Sequence, residues 1–367
     1  MTAEISLQTG GSRFGGWTGV SVSRSIEAFS GSFSFTASEK SPADPLGRPI
    51  LMGDSAVVRI GDVALITGHI DKIDPGYDKN THTIRVSGRS KTADLVDCSA
   101  IHEPGLWLER TLEQIAAELT KPFGIKVRVE SATGLPFSTF KLEPSETVHG
   151  AIVRAAGLRA ILVTDNGAGD LVLTRVGPAR AGVELRKGDR ILSARGSFSD
   201  RDRFSIYTVM GQRRSTDSDG DNPQTQVSAE AKDLGIKRFR PLDILAEEPG
   251  SVANYRDRAK WEATTRQGKA LRATLTVQDW EHPGGLWLPN QRVNVDDAWL
   301  GIRREMLITG VTWILDESGR RTELSIMPPE ALELLATPDI SAESGVLWNV
   351  DEAELLKQRE LLKKLGL

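Results

Sequence analysis

The sequence predicts a mainly β protein of the α+β class, built from two related small β units with an α/β insert between them. Three observations predict this. Leu65-Ile66-Thr67-Gly68 recurs as Leu307-Ile308-Thr309-Gly310, and the flanks of the two copies match in order: a short strand-like run, the motif, a polar turn, then a second alternating run. Self-similarity in fixed order marks a duplicated structural unit. Residues 1–90 and 271–330 are rich in short alternating runs bounded by Gly, Pro and Asp, as half-buried strands require. Between them, residues 91–180 switch to helical spacing.

The elements follow in chain order. In residues 1–90 the runs Glu4–Leu7, Val57–Ile60, Ala64–Ile70 and Thr83–Ser87 read as strands. Gly10-Gly11 and Gly15-Gly16 flank Arg13-Phe14. A phosphate-binding loop needs Gly-Lys-Ser/Thr opening a helix, whereas Gly19-Val20-Ser21-Val22 follows here, so the glycines predict a hairpin turn. In residues 91–180, Thr111 with Gln114 forms a capping box ahead of Leu112, Ile115, Ala116 and Leu119 on one face. Pro122 and Gly124 stop that helix, and Ile125–Val129 alternates as a strand. Ser145 is the expected cap of a second helix, with Val148, Ile152, Val153 and Ala156 inward and Gly157 near its end. A hairpin then runs from Ala160–Thr164 through Asp165-Asn166-Gly167-Ala168-Gly169 to Asp170–Arg175.

Residues 181–250 return to strands, notably Phe204–Val209, around a polar loop at 215–223. Its alternating acids hint at a calcium loop, but the sixth position is Asn222 rather than Gly and the twelfth is Ser228 rather than Glu. Residues 251–335 hold a helix from Ser251 to Gly268 and then the second β unit, entered through Leu286-Trp287-Leu288-Pro289. Residues 336–367 read as a linker and a terminal amphipathic helix carrying Leu355, Leu356, Leu361, Leu362 and Leu365, a candidate partner contact.

Composition narrows the function. The chain has 367 residues, enough for several domains, and a net charge of −4, so no global basic field points to nucleic acid or anionic membrane. The Arg clusters 201–203, 213–214 and 303–304 sit among acids. Cys98 is the single cysteine, which excludes an internal disulfide, and it reads as a small buried side chain. No leader peptide is expected at the N-terminus and no apolar run reaches the ~20 residues of a membrane span, so no membrane anchor is expected. The five histidines are scattered without a metal spacing, there is no Gly-x-Ser-x-Gly elbow, and nothing nominates a triad or a carboxylate pair. Trp17, Trp280, Trp287 and Trp313 lie in or beside strands, where core packing is their expected role. Neither catalysis nor a cofactor is expected.

Specific stretches carry a resemblance. Gly68-His69-Ile70-Asp71, the run from Ile84 through Gly88-Arg89-Ser90-Lys91-Thr92-Ala93-Asp94 to Cys98, and Arg110–Ala116 resemble the baseplate hub proteins of Mu-like contractile-tailed phages. So do Asp202–Ser205 with Tyr207-Thr208-Val209, and Gly285-Leu286-Trp287 with Pro289-Asn290; the order holds across about residues 4–330, while the loop 215–235 and the tail match poorly. The resemblance implies a homotrimer related to the N-terminal part of VgrG spike proteins. It implies two tube-like β-barrels per chain and a pseudo-six-fold ring. The implied role is a non-enzymatic adaptor between the six-fold tail tube and the three-fold spike. Implied partners are the central spike, the tube or tube-adaptor protein, baseplate wedge proteins and the tape measure protein, with DNA passing the channel without specific binding. The implied location is the virion tail baseplate, after assembly in the host bacterial cytoplasm. A tail-borne cell-wall hydrolase, a VgrG-like secretion spike and a carbohydrate-binding β protein are the alternatives. Within the repeat, Gly68 and Gly310, with Leu65 and Leu307, are expected to be equivalent positions at a bend where a side chain would clash.

Overall fold

The computed structural model describes residues 4–39, 50–79, 82–177, 179–212, 226–246 and 252–333. The expected calcium-like loop at 215–223, Ser251 and the five leucines of the terminal helix lie outside the described residues.

The first β unit contains β1 (Ile5–Thr9), β2 (Ser12–Phe14), β3 (Gly19–Ser25), β4 (Ser32–Glu39), β5 (Ser55–Ile60), β6 (Val63–Tyr77) and β7 (His82–Ser90). Gly10 and Gly11, at φ 55° and 82°, close the β1–β2 hairpin between Thr9 and Ser12. Two successive positive φ angles match the right-handed twist of the flanking strands. The insert follows: α1 (Ala93–Asp97), β8 (Leu106–Arg110), α2 (Leu112–Thr120), β9 (Val127–Val129), β10 (Phe137–Lys141), α3 (Val148–Gly157), β11 (Leu162–Asp165) and β12 (Leu171–Thr174). Helix α2 has the expected capping box, with the Thr111 hydroxyl accepting from the Gln114 amide and Gln114 accepting from Thr111. Helix α3 corrects two expectations. Its cap is Thr147, whose hydroxyl accepts from the Gly150 amide, while Ser145 sits in the preceding turn at φ 62°. Val148, Ile152 and Ala156 face inward as expected, joined by Ala151 and Ala155, whereas Val153 faces out.

Next come β13 (Ala179–Arg186) and β14 (Ile191–Phe198), then β15 (Ile206–Gln212), β16 (Gln226–Lys232), β17 (Pro241–Leu245) and α4 (Val252–Lys269). The chain finishes with β18 (Leu271–Gln278), β19 (Glu281–His282), β20 (Gly285–Leu286), β21 (Gln291–Asp297), β22 (Ile302–Asp316) and β23 (Gly319–Met327). Strands β15, β16 and β17 form a small separate sheet. Helix α4 is polar except for one stripe, Tyr255, Ala259 and Ala263; Tyr255 and Ala259 pack with Val209 and Ala229 of that sheet.

The two β units are one sheet. Its order is β14-β18-β23-β22-β3-β4-β7-β6-β5-β1-β2, with β21 also on β22 and β13 on β21. Among the described residues this sheet does not close into a barrel. Among the described residues no ladder joins β1 or β2 to β3, because the outer edge of β3 is paired with β22. Strands β13 and β14 meet only at an isolated bridge, Lys187 to Ile191. One core runs across the sheet, from Leu7, Phe35, Val58 and Leu65 to Val311, Trp313 and Leu324. Trp280, Trp287 and Trp313 are buried in it, as their strand positions predicted. The insert has its own core, built on Leu112, Ile115, Ile152, Trp107 and Leu171. Cys98 is exposed rather than buried, because it caps the C-terminus of α1 where the chain leaves toward α3.

Candidate assembly surfaces

The two copies of the Leu-Ile-Thr-Gly motif are both places where another segment docks. In the first copy the Thr67 hydroxyl donates to the Gly167 carbonyl at 2.8 Å, and the Lys91 amide donates to the Thr67 carbonyl at 3.0 Å. The Asp165–Gly169 turn of the insert is thus seated on β6. A Cβ on Gly167 would lie 1.9 Å from the Ala64 carbonyl oxygen, so only glycine permits this approach. A buried network fixes the contact. Arg24 donates to the Asp165 carbonyl at 2.7 Å and faces its carboxylate at 3.5 Å, and the Thr92 hydroxyl donates to the same carboxylate at 3.1 Å. Removing one member of such a buried pair leaves the other uncompensated, which is where its specificity comes from.

In the second copy the Thr309 carbonyl accepts from the Ile26 amide at 2.8 Å and from the Ser25 hydroxyl at 3.0 Å. Leu65 and Leu307 are both fully buried. The glycines, however, are not equivalent. A Cβ on Gly68 would fall 1.8 Å from the Arg89 carbonyl oxygen, whereas one on Gly310 would meet nothing nearer than Ser325 Cβ at 3.5 Å. The ladders explain the difference. In its ladder with the following strand each long strand has one bulge, between Ile70 and Lys72 in β6 and between Ile308 and Gly310 in β22, while β6 has a further irregularity against β5 at Leu65. Aligned on the bulges, the counterpart of Gly310 is Lys72 and that of Gly68 is Met306. The repeat identifies the right pair of strands, but its letters are four residues out of structural register.

Unpaired edges and exposed apolar side chains supply surfaces that the sequence did not nominate. Beyond Ile70 the β6–β7 hairpin is exposed on both faces apart from the half-buried Ile73, Ile84 and Ser87 and the buried Val86, with Tyr77 83% exposed. Strand β14 pairs on one side only, and Leu192 and Phe198 stand exposed on it. Trp299, in the β21–β22 turn, is 83% exposed beneath the Lys187 ammonium. Alternation alone could have flagged β14, where Leu192, Ala194, Gly196 and Phe198 alternate with Ser193, Arg195 and Ser197. The Arg clusters behave as expected where described: Arg203 is held by Asp233 and Asp200, Arg303 by Asp296, and Arg304 by Glu330.

Among the described residues no group of three or more His, Cys, Asp or Glu side chains could hold a metal ion. His149 packs at a tilt against Phe29 and His282 against Trp287, and burial pushes the imidazole pKa of both down. These are histidines in aromatic packing. An open cleft of about 400 Å³ between β14 and α4 is lined by Phe198, Thr264 and Gln267, with the paired ions Arg203, Asp200, Arg304 and Glu330 at its rim.

A sheet of paired β units with an insert seated on its long strand is an architecture shared with phage tail proteins. Family models agree along the chain: Mu phage baseplate assembly protein GpP-like, N-terminal, over residues 4–90; baseplate hub protein gp44-like, second domain, over 92–175; and Mu phage baseplate assembly protein GpP, fourth domain, over 251–335. Baseplate hub protein gp44 of Escherichia phage Mu is 36% identical over 355 residues, which is 94% of this chain and 93% of that one. The 43 kDa tail protein of prophage MuSo2 from Shewanella oneidensis matches with a TM-score of 0.81 at 39% identity, covering 90% of this chain and all of that one. The E. coli c3393 protein, a type VI secretion component, shares the fold at a TM-score of 0.53 and 10% identity, over 88% of this chain and 76% of that one. The chain belongs to the baseplate hub proteins of Mu-like phages, and its role is a structural one in the baseplate hub.

Proposed function

We propose that three copies of this chain form a ring that adapts the six-fold tail tube to the three-fold spike. The observation that carries this reading is a repeated strand order. The first unit runs β1-β5-β6-β7-β4-β3 and the second β13-β21-β22-β23-β18-β14. The strands in the third and fourth places match in length, 15 and 9 residues in each unit. The first place differs in direction, since β1 is antiparallel to β5 and β13 parallel to β21. Two quasi-equivalent units per chain turn cyclic three-fold symmetry into pseudo-six-fold symmetry, which is what such an adaptor needs.

In this reading each unit completes a tube-like barrel wall only in the ring. Neighbours cover the open edges, so trimerisation also removes an aggregation hazard. An obligate contact of this kind buries roughly 2,000 Å² or more. One face templates the tube and the other holds the spike, with the wedge and tape measure proteins as further neighbours in the virion baseplate. The channel passes DNA without binding it, and the slightly acidic chain suits that, because a basic lumen would hold phosphate. The protein acts without catalysis or cofactor, and the leucines at 355–365 are the proposed spike-side contact.

Mass photometry of the purified 40.0 kDa chain tests the reading. The expected result is a particle of three times that mass, with six lobes around a hole in negative-stain averages. A monomer or dimer at all concentrations contradicts it.

A further inference from the structure

The second β unit shows how two of these units join. Gly310–Leu315 of β22 lie against β23 on one edge and against β3 of the first unit on the other, running antiparallel from Ser25 to Val20. Strand β21 occupies the same edge of β22 farther back, from Ile302 to Leu307. The first unit has this arrangement with one partner missing. Strand β7 covers one edge of β6, and β5 covers the other from Val63 to His69, extended to Ile70 by Gly53 and Asp54. From Asp71 to Tyr77, no other backbone group among the described residues pairs with that second edge.

The missing partner has a counterpart in the second unit. Strand β3 lies next to β4, which lies next to β7; β14 lies next to β18, which lies next to β23. The outer edge of β3 is filled by β22, and that of β14 is bare from Leu192 to Phe198 among the described residues. We propose that β14 of one copy adds to the free edge of β6 in the next copy, repeating between chains the β3–β22 junction made within the chain. The proposal rests on the ring reading above and names the strands that close the ring.

The ladders also give the register. Ile73 is paired with Val86, and Val86 with Phe35, which faces Val20; Val311 is paired with Leu324, and Leu324 with Leu275, which faces Ala194. Val20 therefore corresponds to Ala194, Val22 to Gly196 and Arg24 to Phe198. Transferring the β3–β22 pairing sets Ile73 opposite Phe198, Asp74 opposite Ser197, Pro75 opposite Gly196, Gly76 opposite Arg195 and Tyr77 opposite Ala194. The two apolar stripes then fall on the same face. Ile73, Pro75 and Tyr77 meet Phe198, Gly196 and Ala194, so that the exposed Phe198 and Tyr77 both gain cover. Arg195 lies beside Asp74, which favours this register over its reverse. Strand addition of this kind takes its affinity from main-chain hydrogen bonds and its specificity from alternate side chains; Pro75 has no N–H, so this ladder has one bond fewer than β3–β22.

The test is disulfide trapping in a Cys98→Ser background. Opposed residues of an antiparallel pair have Cα atoms about 4.5–5.5 Å apart, within the span of a disulfide. Asp74 and Ser197 are both exposed, so substituting them leaves the core intact. Asp74→Cys and Ser197→Cys, oxidised separately, should each stay single on a non-reducing gel, and mixed they should give a covalent dimer. The double variant should run as a covalent trimer, because every copy gives one strand and receives one. A particle of trimer mass in which Ser197→Cys links to Ser12→Cys on the β2 edge, or to neither, overturns the β14–β6 junction while leaving the ring intact. Absence of any oligomer overturns the ring reading and the junction with it.

Discussion

At the residue scale, the same side chain has different consequences at the two motif glycines. Gly68 sits against the Arg89 and Ser90 backbone, which cannot yield without breaking the β6–β7 ladder. Gly310 faces two serine side chains at ordinary contact distance. Gly68→Ala should therefore remove most soluble protein, and Gly310→Ala should change unfolding free energy by less than about 1 kcal/mol. Urea melts of whatever folds, with soluble yield, check both; equal losses from the two would contradict the four-residue offset between the copies. The sequence shows which strands correspond, because their hydrophobic pattern and turns recur. It hides the offset, because a bulge adds one residue to a strand without changing its alternation on either side.

At the element scale, α3 carries the pH sensitivity that can be read most directly. Arg154 donates to Glu146 at 2.8 and 2.9 Å and holds that carboxylate pKa below its usual range. His149 is pushed down by burial against Phe29. Both shifts have the same sign. The native state binds fewer protons than the unfolded one, so stability is present above the unfolded pKa and is lost as pH falls. For His149 the loss begins as pH drops below about 6.5, where the unfolded imidazole takes a proton that the native one resists. Going from about pH 7 to about pH 5, the wild type should therefore lose more thermal stability than His149→Phe. Equal losses by calorimetry would contradict the assignment. Helix α3 also marks how far elements are legible. Its existence and its Val148, Ile152 and Ala156 stripe follow from periodicity. Its cap does not, because Ser145 and Thr147 are equally good capping residues and only the left-handed turn at Ser145 decides between them. The small sheet β15–β17 under α4 was visible only as strands, since its order joins β15 to β17 in parallel across a long connection.

At the scale of the whole molecule, the duplication was legible in the sequence, whereas the joining of both units into one sheet was not. Pattern gives each unit its strands, but whether a sheet closes depends on which edges find partners. Here β3 is drawn to β22, so one sheet spans both units, and among the described residues it leaves bare edges that include those on β14 and on the outer half of β6. In the proposed ring the assembly follows from those edges more than from any cluster of chemical groups, and the positions that the sequence singles out are accordingly glycines and leucines. An electron cryo-microscopy map of the purified oligomer at strand resolution tests this account most directly. The account predicts three copies around one axis, with β14 of each copy continuing the sheet onto Lys72–Tyr77 of the next. A closed oligomer whose copies meet through other elements, with both edges still bare, would contradict it.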